Sequence, residues 1–591
     1  MHSISDYINR FGHVSPGEIL YRVKRVLIEK RMERKLSPDN TGLCFPDMDL
    51  SSVTALELPG TIKTDTQDTL PQAHRQEDFS AFEDEFSRIF FSRIRPGPTA
   101  PDIRSAWERA RLQTELAQIL QMAEYPQGKG KADRSAPSKV VNWIKKNPFL
   151  FGVHYISPME CGLRVPVFFF ALKALNPVSR AEDIRTLLSA VYSHSWWISQ
   201  NMALYSSRGN HTVCESMGLV FGGAVFRHTT EGKKWLKTGC RILEEELHRQ
   251  ILPDGGPVEQ SLNYHRFVLD LYWLALDFLR ANNLYGCHGW KNHLKKGEVF
   301  IRALSYDGRH FPSIGDSDDG YALAQCLVPR YRPRAVEQRP ASQEVKAKTF
   351  PDSGYTVVRS HTLFMTFDHG PLGMPPLYNH GHADALSITL YISGLPFLID
   401  PGTFQYNGDP RRRTYFKGTR AHNTVCIDKK DQARQVSGFI WNTPFSIVNF
   451  QLNQTGKQIR IQAGHTGYQR LTSPVTHQRQ IQVNKDGSTI IFDSFTGNGC
   501  HEFELNFHLH PDVTLVRKKD YLWLRNREQS VYIVDPKETF TVFRGSKNPY
   551  TGWYSAAYGH IQPSITLRAR KEGKPEKIQF STVLIPGQIP F

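Results

Sequence analysis

The sequence predicts a multidomain α+β protein, a helical half followed by a half built from antiparallel sheets, and three observations carry that prediction. The chain has 591 residues, too many for one ordinary hydrophobic core. From about residue 102 onward, apolar residues recur at helical spacing through several successive segments. After about Lys348 the period drops to two, in short runs separated by polar turns. The expected division is a basic N-terminal arm or small helical region over 1–100, a helical domain over 101–330, a connector over 331–348 and a β-sandwich over 349–591.

In chain order, Leu20 to Leu36 reads as a basic helix. Leu20, Val23, Val26 and Leu27 share an apolar side, and Arg22, Lys24, Arg25, Lys30, Arg31, Arg34 and Lys35 carry charge. The preferred expectation packs that apolar side on the main domain or a partner, with an anionic membrane as the alternative. Pro71 to Pro101, with little apolar spacing and a Pro-Gly-Pro turn, reads as a wrapping arm or linker. Helices are expected at 107–122, 159–175, 181–205, 212–226, 233–249, 264–279 and 291–304. None would be stable alone in water, so their apolar faces need one another, in a stacked, toroidal or bundled arrangement. Strands are expected at 354–359, 362–367, 386–391, 447–452, 458–463, 489–495 and 521–524, with more in the tail after Tyr558.

Composition narrows the partners. Lys and Arg number 73 against 57 Asp and Glu, a net charge of +16, which would gather acidic polymers or surfaces. No helix-turn-helix, zinc-finger or RNA-binding signature accompanies the charge, so nucleic acid is not the expected partner. The eight cysteines are scattered, as buried thiols are, without the pairing of a disulfide scaffold. The apolar run from Val165 to Leu172 is too short to span a bilayer, and no transmembrane segment is expected. The N-terminus shows no basic segment followed by an apolar run, so the expected location is cytoplasmic, or periplasmic if a signal lies upstream.

Polar residues concentrate between Tyr378 and Thr424. His380 and His382 are two apart, Asp400 follows eighteen residues after His382, and His422 twenty-two after Asp400. A His/Asp/His set of this kind suits zinc, with His382, Asp400 and His422 as ligands; a hydrogen-bonded cluster in a sheet turn is the competing reading. In the helical half, Asn210 and His211 sit at a helix junction, where capping alone would explain them. The turn Pro253-Asp254-Gly255-Gly256-Pro257 brings Glu259, Tyr264 and His265 to the start of an apolar helix. Tyr264 could donate a proton to a leaving oxygen, or accept one as a phenolate. Asp316, Asp318 and Asp319 form an acidic turn, expected to serve turn formation or an interdomain ion pair. Arg411, Arg412, Arg413, Lys417 and Arg420 make a positive segment suited to an anionic substrate.

Taken together, Arg208-Gly209-Asn210-His211, Glu259 through His265, Asn379-His380-Gly381-His382-Ala383-Asp384, Asp400-Pro401-Gly402-Thr403 and Arg420-Ala421-His422-Asn423-Thr424 resemble the heparinase II/III-like polysaccharide lyase superfamily. The resemblance implies an incomplete α/α toroid followed by an antiparallel β-sandwich, and cleavage of uronate polysaccharides by β-elimination. It implies that Asn210, assisted by His211, neutralises the substrate carboxylate, that Tyr264 transfers protons, and that His380 acts as a base or carboxylate-binding group. Glu259, Tyr406, Arg411 and Tyr415 stand as candidate substrate contacts, and His382, Asp400 and His422 as a zinc site of structural role. The implied partner is an acidic polysaccharide or oligosaccharide. A peripheral-membrane or polysaccharide-assembly partner fits the basic N-terminal region, and a noncatalytic glycan-binding protein is the alternative function.

Overall fold

A computed structural model describes residues 14–40, 43, 45–46, 48, 50–59, 61–62, 79–95, 101–124, 133–175, 180–324, 327–328, 344–534 and 539–587. Most of the 331–348 connector lies outside the described residues, as do 71–78 and 96–100 of the arm expected over 71–101; between them Ser80–Phe86 is helical. The chain divides into two compact units. One comprises residues 1–250, 266–295 and 320–333; the other comprises 251–265, 296–319 and 334–591.

The first unit is helical. The basic helix runs from Pro16 to Lys35; the Ser15 hydroxyl caps it by accepting from the Glu18 amide at 3.1 Å, Pro16 takes the first turn, and Arg34 and Lys35 stand in the last. The segment expected as one helix over 107–122 is two, Ile103–Ala110 and Gln113–Glu124. They part where Leu112 takes a positive φ of 59°, in a stretch with no glycine or proline to announce a break. Pro158–Ala174, Ala181–Asn201, Asn210–Val225 and Thr230–Gln250 follow as successive neighbours. Pro158–Ala174 is buried on nearly every side, and so is Asn210–Val225, which explains their almost uninterrupted apolar sequences. No helix among the described residues is long and apolar enough to cross a membrane.

The second unit is built on antiparallel sheets. A five-stranded sheet takes Lys346–Phe350, Tyr355–Arg359, Leu363–Asp368, Ile388–Ile392 and Leu395–Leu398 in sequence order. An eight-stranded sheet and a four-stranded sheet follow. Within the larger one, Val475–Asn484 pairs with Thr489–Gly497 so that Arg479 lies opposite Asp493 and Ile481 opposite Ile491. Burial alternates strictly along Val475–Asn484, the half-buried positions being Thr476, Gln478, Gln480, Gln482 and Asn484. Side chains from all three sheets, among them Phe367, Ile388, Val425, Ile481 and Phe503, form one continuous core.

Among the described residues six cysteines are free. Five are buried as expected, but Cys500 is exposed, on the turn before the strand His501–His508.

Candidate functional site

The site in the second unit is organised by Asp316, a fully buried carboxylate in the acidic turn. His380 reaches its Oδ2 through Nδ1 at 3.0 Å, and His382 reaches its Oδ1 through Nε2 at 3.0 Å. Arg413, itself buried, grips the same carboxylate with both terminal nitrogens, the Nη2 contact being 2.9 Å. Burial alone would raise Asp316, but the Arg413 guanidinium and the two imidazoles outweigh it and hold the group well below the usual carboxylate range. A carboxylate only accepts, so both rings donate to it. In neutral histidines this leaves Nε2 of His380 and Nδ1 of His382 as the acceptor nitrogens.

Backbone geometry fixes the pair. The Asp316 amide donates to the His380 carbonyl at 2.9 Å, and the Ser261 hydroxyl to the Asp316 carbonyl at 2.6 Å. Between the two histidines a side chain has no room, since a Cβ on Gly381 would fall 1.6 Å from the Leu372 carbonyl oxygen. The Trp441 indole donates to the Gly381 carbonyl at 2.9 Å and holds the loop from the other side.

Tyr264 lies against this cluster, its ring stacked on His380 with centroids 3.9 Å apart. Its hydroxyl contacts Asp318 Oδ2 at 2.9 Å and the Tyr406 hydroxyl at 3.0 Å. The other oxygen of Asp318 accepts from the Asn263 side-chain Nδ2 at 2.7 Å, so one carboxylate holds two consecutive residues of the helix start. With Asp318 ionised, Tyr264 donates to it and Tyr406 donates to Tyr264. Tyr406 is fixed in turn by the Tyr558 hydroxyl, which accepts from its amide at 2.9 Å, and by the Arg413 guanidinium 5.0 Å from its ring centre.

Beside them lies a buried group suited to a metal: one donor atom each from His382, Asp400 and His422, all within 4.8 Å of one another. Asp400 Oδ2 meets His422 Nδ1 at 2.9 Å, and Oδ1 accepts from the Gly402 amide at 3.1 Å. Burial opposes charge on His422, yet the Asp400 carboxylate outweighs it and raises the ring; for His382 burial prevails and lowers it. Two buried nitrogens, Nδ1 of His382 and Nε2 of His422, have no hydrogen-bond partner among the described residues. Orphaned imidazole nitrogens beside a carboxylate are what a metal's donor set leaves when it is protein-only, and the Asp316 bond to His382 is the outer-shell contact that orients a ligating ring.

Asn210 and His211 open the helix Asn210–Val225 in the first unit, after Gly209 at φ 150°. Asn210 is buried and His211 half-buried. In the second unit the structure brings together Tyr264, His380 and Tyr406, with Glu259 buried nearby in sequence. It places Tyr415 elsewhere, in an aromatic cluster with Phe404, Phe416, Tyr550 and Trp553. Arg411 turns to solvent, 86% exposed, and pairs with Asp409 at the start of a short helix. The positive segment is therefore split: Arg413 and Lys417 are buried inside the unit, Lys417 with its charge disfavoured by burial.

Sequence reasoning missed the parts played by Asp316, Asp318 and Arg413. The acidic turn was visible, but its partners are 54 to 97 residues away. The expected interdomain ion pair is instead a network inside one unit.

Comparison with known proteins gives a consistent picture. Residues 117–345 match the model "Heparinase II/III N-terminus", and 343–582 match "Heparinase II/III-like, C-terminal". A heparin-sulfate lyase of Bacteroides stercoris is 21% identical over 498 residues, covering 76% of this chain and 70% of the relative. That of Pedobacter heparinus is 24% identical over 344 residues, 53% of this chain and 51% of its own length. That of Bacteroides thetaiotaomicron is 23% identical over 428 residues, 65% and 58%. Among solved structures, a heparinase III matches with a TM-score of 0.65 at 18% identity, covering 84% of this chain and 79% of that one. A second heparinase III matches at 0.59 and 18%, covering 98% and 92%. The architecture is theirs, a helical toroid followed by antiparallel sheets.

Proposed function

Because this chain belongs to the heparinase II/III-like polysaccharide lyase superfamily, we propose that it cleaves an acidic, uronate-containing glycan by β-elimination. The observation that carries the reading is the tyrosine pair stacked on a histidine: Tyr264 and Tyr406 with hydroxyls in contact, and His380 against the Tyr264 ring. Elimination breaks a C5–H bond and the C4–O bond, forms a C4=C5 double bond, and needs one proton accepted and one delivered. With one of the two as phenolate, the tyrosines can divide those tasks: the phenolate takes the C5 proton, the phenol protonates the leaving oxygen, and a proton then passes across their shared bond, with no net change in the protein. Tyr264 delivers the proton to the leaving oxygen. His380, held by Asp316 with its acceptor nitrogen opposite, serves as base or as a carboxylate-binding group.

Asn210, assisted by His211, neutralises the uronate carboxylate, where negative charge grows as the C5 proton departs; an amide donor and an imidazole are the side chains suited to that charge. Glu259 is a further candidate substrate contact. The relatives named above are heparin-sulfate lyases, which supports a sulfated or unsulfated uronate polymer as the substrate class.

We assign zinc to His382, Asp400 and His422, a nitrogen and carboxylate-oxygen set within zinc's preferences. When bound, the ion ties three loop positions together; proton transfer is left to the tyrosines and His380.

The deciding experiment is a panel of uronate polymers followed by the ultraviolet absorbance of the unsaturated product, with Tyr264→Phe and Asn210→Ala alongside the wild type. Absorbance that rises with the wild type and collapses in both variants supports elimination. Cleavage without the chromophore would move the protein to hydrolysis, and binding without cleavage across the panel to a glycan-binding or assembly role.

A further inference from the structure

The basic helix Pro16–Lys35 lies on the first unit with the opposite side to the one its sequence suggests. Inward go Glu18 and Met32, each 3% exposed; the Tyr21 hydroxyl, which donates to the Met202 carbonyl at 2.8 Å; and Arg25, whose Nε donates to the Asn201 side chain at 3.2 Å. Outward go Ile19, Leu20, Val23, Val26 and Leu27, between 47% and 72% exposed. At 3.6 residues per turn these five fall within about a third of the helix circumference, so they form one continuous stripe. A stripe of large aliphatic side chains on water is the mark of an interaction surface.

Charge says what the surface suits. Lys24, Lys30, Arg31, Arg34 and Lys35 are exposed along or beside the stripe and have no carboxylate partner among the described residues. The helix's three carboxylates are withdrawn: Glu18 is buried and paired with Arg22, Glu29 is half-buried, and Glu33 is paired with Arg93. An isologous contact with a second copy would set two such groups of cations against each other. An aliphatic stripe continued on the same line by Lys30 and Arg34 and bordered by Lys24, Arg31 and Lys35, with the helix's acids buried or paired, suits an anionic bilayer, where aliphatic groups enter the acyl boundary and cations meet lipid phosphates.

We propose that residues 16–35 dock this protein to an anionic membrane surface. The docking is peripheral and reversible, and it is independent of the elimination chemistry proposed above.

The test is vesicle flotation of the full-length protein with phosphatidylcholine vesicles, with or without 30% phosphatidylglycerol, at low and high salt. Two variants accompany the wild type: Leu20→Glu/Leu27→Glu, which breaks the stripe, and Lys30→Glu/Arg34→Glu, which reverses charge beside it. All four positions are exposed, so unchanged melting and far-ultraviolet circular dichroism are expected in both. The expected result is at least tenfold stronger binding to anionic than to neutral vesicles, weakened by salt, with at least a tenfold loss in each variant. Equal binding to both vesicle types, or none, overturns the proposal. If only the charge variant loses binding, the helix is a general polyanion site and not a membrane anchor. If the stripe variant instead turns a dimer into a monomer on a sizing column and wild type does not float, a second copy covers the stripe, and the proposal also fails.

Discussion

The hydroxyl oxygens of Tyr264 and Tyr406 lie 3.0 Å apart, although 142 residues separate them in the chain. One is supplied by the start of a helix, the other by the loop after Asp400. If the pair divides proton removal and proton delivery, Tyr264→Phe lowers kcat by about 10²–10⁴-fold with little change in KM. Tyr406→Phe lowers kcat as well. The double variant loses less than the product of the two single losses, because residues that act as a unit are not additive. Steady-state rates on the best polymer of the panel decide this; independent, multiplying losses would mean that the contact has no part in turnover.

Asp316 joins His382, of the proposed metal group, to His380, on which the proposed proton donor Tyr264 stacks. Asp316→Asn leaves Arg413 buried without its anion and replaces one of the two oxygens that accept from His380 and His382 by an NH2 donor, so a loss of about 3–5 kcal/mol in stability is expected. If zinc occupies His382, Asp400 and His422 as proposed, its content falls in the same variant, although Asp316 is not itself among the proposed ligands. Chemical denaturation and elemental analysis of the purified variant check both statements. Full zinc content with normal stability would separate the two groups.

Chelation of the wild type lowers its melting temperature, and added zinc restores it, if the ion ties the loops as proposed. His422→Ala removes that response. A wild type that melts identically with and without chelator, and carries no zinc by elemental analysis, would leave the three side chains as a hydrogen-bonded cluster.

Two buried carboxyls give opposite pH signatures. Burial raises Asp493, but Arg479, contacting it at 2.7 and 3.0 Å, and His477, at 2.7 Å, outweigh burial and bring it to about 2. Its folded value lies below the unfolded one of about 3.9, so its stabilisation is present above about pH 4 and lost as pH falls through about 2. Asp493→Asn therefore costs about 3–5 kcal/mol at neutral pH, and the gap to wild type narrows in acid. A gap that stays constant down to pH 2 would contradict this.

Glu215 runs the other way. Burial pushes its carboxyl up to about 8, even though one oxygen accepts from the Ala203 amide at 2.6 Å. The folded value exceeds the unfolded one, so the protonated form stabilises; that contribution is complete below about pH 4 and is lost as pH rises through about 8. Glu215→Gln keeps an oxygen for Ala203 and carries no charge. It melts close to wild type at pH 4 and increasingly above it as pH rises to 9, as thermal scans across that range will show.

Much of the architecture was legible because burial and period agree. Pro158–Ala174 and Asn210–Val225 are buried nearly all round and read as apolar helices; Thr489–Gly497 alternates and reads as a strand. Val475–Asn484 escaped notice although it alternates as well. Its inward positions include His477 and Arg479, charged-type residues made acceptable inside by Asp493 on the next strand and by the Leu386 and Asn423 carbonyls that accept from Arg479. The basic helix was legible as a helix, but not in orientation. Period reveals that Leu20, Val23 and Leu27 share a side; it does not reveal that Tyr21 and Arg25 would find partners at Met202 and Asn201 and take the inner position. The histidines of the site were visible as a motif, whereas the carboxylates that orient them lay in a turn with an ordinary explanation of its own.

The place of Asp316 in the chain has a consequence for synthesis. It leaves the ribosome 64 residues ahead of His380 and 66 ahead of His382, so the anchor exists before the rings that need it. Until the later loop arrives, the acidic turn carries a carboxylate with neither Arg413 nor an imidazole to balance it. The nascent turn therefore cannot settle into its final dry environment before residues 380–413 have been made.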